Sequence, residues 1–195
     1  MALKHALTGR ERILAAAVEL FAEQGFDATS VQEVVDRAQV TKGALYHHFR
    51  AKDDLLSEIY GGLLAQQLAD LDRILAAGYP PAAALRAIVV DLVETTTSRL
   101  AEAAVFAREM HKLADDRMAV LRAQRRRYHE TFREVVAAAQ RSGTFASTAS
   151  AEMVTLVVFG VVNQLPQWYR PAGPTAPRQL GEELATFVLA GLGAG

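Results

Sequence analysis

Nine residues, TKGALYHHF at positions 41–49, constrain this chain more than any other stretch. Thr41 can cap a short helix in which Leu45 and Phe49, four apart, share one face, while Lys42, Ala44, Tyr46, His47 and His48 point elsewhere. A helix this short does not hold itself in water, so neighbours must bury that apolar pair. Just upstream, Ser30 with Glu33 three residues later has the form of a capping box, and Val31, Val34, Val35 and Ala38 recur at helical spacing over residues 31–38. Only Gln39 and Val40 join the two segments. Two short helices, each with one apolar stripe and almost no linker, read as a helix-turn-helix, which lays its second helix in the major groove of DNA.

Residues 25–56, GFDATSVQEVVDRAQVTKGALYHHFRAKDDLL, resemble the DNA-binding domain of the tetracycline-repressor (TetR) family of one-component transcriptional regulators. The likeness lies in G-[FY]-x-x-[TS]-[TS]-[VI] at 25–31, T/S-x-G-x-[LI]-Y-x-[HY]-F at 41–49 and x-K-[DE]-[DE]-L at 51–55. Two positions depart from the pattern: Gln39 stands where the turn usually carries Gly, and Ala51 where a polar cap usually precedes Lys52. A Gln held at positive φ costs about 1 kcal/mol of local strain, which weakens the turn without abolishing it.

The resemblance implies an all-α protein of about nine helices: an N-terminal three-helix helix-turn-helix DNA-binding domain over 1–54 and a C-terminal helical ligand-binding and dimerisation domain over 55–195. It also implies a repressor that binds a palindromic operator as a homodimer and is released by a small-molecule inducer. Within the reader, roles divide by chemistry. Tyr46, His48 and Lys52, with Thr29 and the amides beside it at the start of the second helix, are candidate phosphate contacts, which fix register without reading sequence. Thr41, Lys42, Ala44 and His47 are candidate base readers, Lys suiting guanine acceptors and the Ala and Thr methyls suiting thymine. Gly43 lets the backbone approach the duplex. Adjacent positions on a helix point about 100° apart, so His47 and His48 do not readily share a metal ion.

Charge limits how DNA is bound. Formal net charge is −1 over 195 residues, and residues 1–60 carry seven Lys and Arg against nine Asp and Glu. Sequence-blind wrapping of nucleic acid, which needs many phosphate contacts, is therefore disfavoured. With no cysteine, stability must come from burial, for which 51% hydrophobic residues suffice. The opening MALKHALTGR lacks an export-type apolar run, and the apolar stretch 153–165 is too short to span a bilayer, so no membrane association and a cytoplasmic location are expected.

Along the chain, Thr8 with Glu11 forms another capping box, and Ile13, Leu14, Ala17, Leu20 and Phe21 give an apolar stripe that Gly25 ends. Arg10 and Arg12 near its start read equally as phosphate contacts or as solvated surface. A long amphipathic helix follows over 52–77, with Gly61 and Gly62 inside it. Gly78, Tyr79, Pro80 and Pro81 break the chain before a helix over 82–100, whose Thr95, Thr96 and Thr97 favour a local distortion. A shorter segment lies near 103–113, then a long one reaches Arg141 and ends at Ser142 and Gly143. Residues 153–169 are apolar nearly all round and so require cover on both sides; a Pro- and Gly-rich loop leads to a last helix over 177–192. In the resembled family the last two helices pair with their symmetry mates, which would set two readers one DNA turn apart.

Candidate ligand-lining residues are polar or aromatic groups within apolar stretches: Phe106, Met110, Tyr128, Phe132, Asn163 and Gln164, with Arg125 for an anion. The segment Trp168-Tyr169-Arg170-Pro171 resembles a subgroup sensing acyl-coenzyme A thioesters of lipid or sterol breakdown. Multidrug-type sensing of hydrophobic or cationic compounds is the rival, and a ligand-independent DNA-binding adaptor the third reading. The arginines 122 and 125–127 read first as a solvated helix face. An enzyme is not expected. His129-Glu130 lacks the second His of a zinc-protease helix because Arg133 stands there, residues 191–195 are glycine-rich without a preceding strand, and no Ser or Cys lies in a nucleophile context. No cofactor is implied.

Overall fold

The computed structural model describes residues 7–146 and 148–193. Residues 1–6 of the opening stretch, Ser147, and residues 194–195 of the glycine-rich end lie outside that range. All regular structure among the described residues is helical: α1 (Gly9–Gln24), α2 (Val31–Ala38), α3 (Lys42–His48), α4 (Lys52–Ala76), α5 (Pro81–Ser98), α6 (Leu100–Glu109), α7 (Asp115–Arg141), α8 (Ala151–Asn163), the single turn α9 (Leu165–Trp168) and α10 (Pro177–Gly191). A 3-10 turn, Met110–Lys112, follows α6. None of these helices is long and apolar enough to cross a membrane.

The chain divides into two compact units, residues 1–62 with 101–118 and residues 63–100 with 119–195. The division falls between Gly62 and Leu63 inside α4, and it returns α6 to the N-terminal unit, rather than cutting the chain once after residue 54.

In the first unit, local chemistry sets the helix starts. Thr8 and Glu11 cap α1 reciprocally, as Ser30 and Glu33 cap α2. Ile13, Ala17, Phe21, Val34, Leu45, Leu55 and Leu56 form a dry centre. Where Ala51 offers no cap to α4, the Asp54 carboxylate accepts the amides of Arg50 at 2.6 Å and Ala51 at 3.1 Å. Burial raises the Asp54 pKa, but those two amides and the Arg117 guanidinium outweigh it and hold the carboxyl below its usual range.

In the second unit α10 lies along α5, and Gly181 permits the close approach: a Cβ there would stand 2.9 Å from Val90 Cα and 3.3 Å from Val90 O. Both are backbone atoms, which cannot swing aside. Gly181→Ala is expected to destabilise the protein by about 1–3 kcal/mol through overpacking, seen as a melting temperature lowered by about 2–10 °C in thermal circular dichroism.

The expected distortion at the threonine run sits one step later. Thr97 Oγ1 donates to Val93 O at 2.7 Å, helix continues to Ser98, and the break comes at Arg99 with φ −129° and ψ 41°. The cover required for the apolar stretch is one-sided within a single chain. Val154, Val158, Phe159 and Val162 are buried, whereas Met153 and Leu156 of α8 and Phe187 of α10 stand 53, 57 and 70% exposed.

Candidate nucleic-acid interface

The turn between α2 and α3 adopts the conformation that the usual glycine would supply: Gln39 has φ 52° and ψ 50°. Its amide donates to Asp36 O, and the Arg12 guanidinium donates to its carbonyl at 3.3 Å. Gln39→Gly is expected to relieve the left-handed strain and raise stability by about 0.5–1 kcal/mol, part of the relief being offset by a freer unfolded chain. A shifted urea midpoint with unchanged slope is the check.

Thr41 caps α3 through its hydroxyl, which accepts the Ala44 amide at 3.1 Å. Leu45 and Phe49 are 0 and 2% exposed, so the apolar face is fixed against the unit. The opposite face is turned out. Thr41, Lys42, Gly43, Tyr46, His47 and His48 are exposed and Ala44 is half-buried. Arg50, just past the helix, is exposed as well and was not among the sequence candidates; its place directly after the last motif residue is the only hint of it in the sequence.

Two candidate phosphate contacts are corrected. Lys52 Nζ donates to Phe26 O at 2.7 Å and Thr29 O at 2.8 Å and lies 4.2 Å over the Phe26 ring, so its charge staples the loop between α1 and α2. Thr29 is 1% exposed, and its hydroxyl donates to Gly25 O at 2.7 Å. The amides beside it are also engaged: Ser30 N–H meets Glu33 Oε2 and Glu33 N–H meets Ser30 Oγ. Arg10 pairs with Glu58, and Arg12 holds Gln39, so both brace the unit.

The seven ligand candidates are divided between the two compact units. Phe106 and Met110 belong to the first unit, where the Phe106 ring stacks on Tyr60. The other five belong to the second. There Tyr128 and Phe132 are 2 and 0% exposed and meet Phe159 edge to face at 5.5 Å, so both rings are core. Asn163 and Gln164 end α8 on the exposed side and line no interior.

Arg125 faces an open groove. With Arg122, Arg126, His129, Glu130 and Arg133 of α7, and Glu152, Thr155 and Leu156 of α8, it lines a groove of about 580 Å³. Arg127 pairs with Asp72 at 2.8 Å and Arg133 reaches Glu152 at 3.9 Å. Arg122, Arg125 and Arg126 make no ion pair with a described residue. The His129 ring stacks on Phe159 with centroids 3.8 Å apart, and burial, then Arg125, lowers its pKa. A neutral imidazole among unpaired guanidiniums is suited to an anion.

Comparison with known proteins agrees with this geometry over nearly the whole chain. The repressor KstR2 of Rhodococcus jostii RHA1 is 29% identical over 184 residues, covering 94% of this chain and 90% of that protein. The solved structure of the ketosteroid transcriptional regulator KstR2 of Mycobacterium tuberculosis superposes with a TM-score of 0.86 at 25% identity, covering 96% of both chains. The structure of AibR in complex with isovaleryl coenzyme A and operator DNA shares the fold, with a TM-score of 0.80 at 22% identity over 92% of this chain and 97% of that one. Residues 13–59 match the family model for bacterial regulatory proteins of the tetR family, and residues 78–192 match that for the tetracyclin repressor-like C-terminal domain. With both halves matched and the α2–α3 reader exposed as described, the chain belongs to the TetR family of bacterial transcriptional regulators.

Proposed function

We propose that this regulator binds a palindromic operator as a homodimer, represses transcription from it in the cytoplasm, and is released by an acyl-coenzyme A thioester. The observation that carries the DNA part is the outward face of α3, where Thr41, Lys42, Tyr46, His47 and His48 stand exposed around a buried Leu45 and Phe49. Dimerisation is supported by Met153, Leu156, Val157 and Phe187, an apolar surface that one chain leaves uncovered. The thioester reading is supported by the unpaired arginines of the α7 groove, whose forked donors suit phosphate oxygens. KstR2 repressors are similar to this chain end to end, and AibR, which shares its fold, binds isovaleryl coenzyme A.

Footprinting of the region upstream of its own gene tests the proposal. Protection of a palindrome by a dimer, lifted by long-chain or sterol-derived acyl thioesters but not by coenzyme A alone, is the expected result. Release only by hydrophobic cations would replace the thioester with a drug-like effector. Protection that no compound lifts would make the protein a ligand-independent adaptor.

A further inference from the structure

The first unit answers almost all of its positive charge internally. Among the lysines and arginines described there, all but Lys42 and Arg50 are held by a carboxylate or a carbonyl of the same unit. Lys42 opens the reading helix and is already a candidate base contact. Arg50 lies beyond the other end of that helix, exposed, with no ion pair or side-chain hydrogen bond to a described residue.

Its place follows from the departure at Ala51. Because Ala51 cannot cap α4, Asp54 does so instead, and the Arg50 amide donates to Asp54 Oδ2 at 2.6 Å. The other oxygen of Asp54 pairs with Arg117, which fixes the carboxylate and leaves it no vacancy for the Arg50 guanidinium. On the near side, Phe49 is 2% exposed and its amide donates to Leu45 O at 2.9 Å. The Arg50 backbone is thus pinned before and after while its charged end stays free. A side chain on a fixed root loses less freedom on gripping a ligand than one on a mobile loop.

Position decides what that guanidinium meets. The helix α3 has 7 residues, a length of about 10 Å at 1.5 Å per residue, and the major groove is about 12 Å wide. When the middle of so short a helix meets base edges, its end stands near a wall of the groove, and the walls are sugar and phosphate. A guanidinium there suits phosphate oxygens, to which its fork donates two hydrogen bonds at once. We propose that Arg50 is a backbone-phosphate contact of the operator complex, in the role that the sequence suggested for Lys52. This rests on the reading above that α3 enters the groove.

Fluorescence anisotropy of the full chain on a labelled palindrome and on a scrambled duplex of equal length, across about 50 to 300 mM salt, tests the proposal. Arg50→Met keeps most of the stem and removes the charge, and Arg50→Gln is a second neutral variant. Both are expected to bind the two duplexes about 10- to 100-fold more weakly at about 0.1 M salt, at an unchanged melting temperature. Their slope of log affinity against log salt should be flatter by about 2 for the dimer. Arg50→Lys, which keeps the charge, is expected to keep the wild-type slope. Wild-type slopes in the neutral variants overturn the proposal, and so does a loss confined to the palindrome, which would make Arg50 a base reader. If the wild type grips both duplexes equally, the operator reading fails while the slopes still decide for or against Arg50. If it grips neither, both fall.

Discussion

The double variant Lys42→Ala/Tyr46→Ala is expected to bind its palindrome at least about 100-fold more weakly than the wild type, at an unchanged melting temperature. Each good base or phosphate contact is worth about 1–3 kcal/mol, and a dimer loses every contact twice. Stability should be spared because Lys42 and Tyr46 are exposed and Leu45, not Tyr46, anchors the helix. Surface substitutions of this kind change folding free energy by about 0.5 kcal/mol or less. Fluorescence anisotropy on a labelled operator is the measurement, and undiminished affinity would move the DNA-reading surface away from α3.

A second large effect belongs to Glu109, at the end of α6. It is 3% exposed, and it ties together three groups of the first unit: Oε1 accepts from the Phe26 amide at 3.3 Å and Arg108 Nε at 2.8 Å, while Oε2 lies 3.0 Å from Lys112 Nζ. Arg108 also donates to the carbonyls of Phe21 and Ala22, and Lys112 pairs with Asp27. The end of α1 and the loop after it are thus held by three side chains, Arg108, Glu109 and Lys112, from the end of α6 and the 3-10 turn that follows. Glu109→Ala is expected to cost about 2–3 kcal/mol, below the usual figure for breaking a buried pair because both cations keep other partners. That corresponds to a melting temperature lower by about 4–12 °C.

The pH dependence has a definite sign. Burial raises the Glu109 pKa, but Lys112, Arg108 and the Phe26 amide overcome it, leaving the folded value below the ordinary 4.5. A group lowered on folding contributes stability above its unfolded pKa and loses it as pH falls through the folded one. The stability gap between the wild type and Glu109→Gln should therefore be constant above about pH 5.5 and narrow below 4.5. A gap independent of pH down to 3 would show that the Glu109 charge does nothing there.

What could be read from the sequence was what neighbours in the chain decide. Both capping boxes and the breaks near residues 78 and 142 follow from residues within four positions of one another, and the left-handed Gln39 follows from the glycine that the resembled family usually carries there. Lys52 could not be read this way. A lysine next to a DNA-reading helix has the look of a phosphate contact, and its two carbonyl partners lie 23 and 26 residues back. The α8 stretch was legible as apolar but not as one-sided, because a helix without a polar face carries no periodic signal to say which side is covered. The ligand candidates were chosen by residue type, which selects core aromatics such as Phe132.

The internal use of cationic side chains bears on how this protein behaves among many DNA sequences. Lys52 holds two carbonyls, Arg12 holds a third, Arg10 pairs with Glu58, and Arg37 pairs with Glu19 and Glu23. Among the described residues, Lys42 and Arg50 remain beside the reader as exposed cations without an ion pair. Two per protomer would displace few counterions, giving a slope of log affinity against log salt of only about −4 for a dimer. Such a regulator holds random duplex loosely at physiological ionic strength, so little of it is sequestered along the chromosome and its occupancy follows the quality of the site.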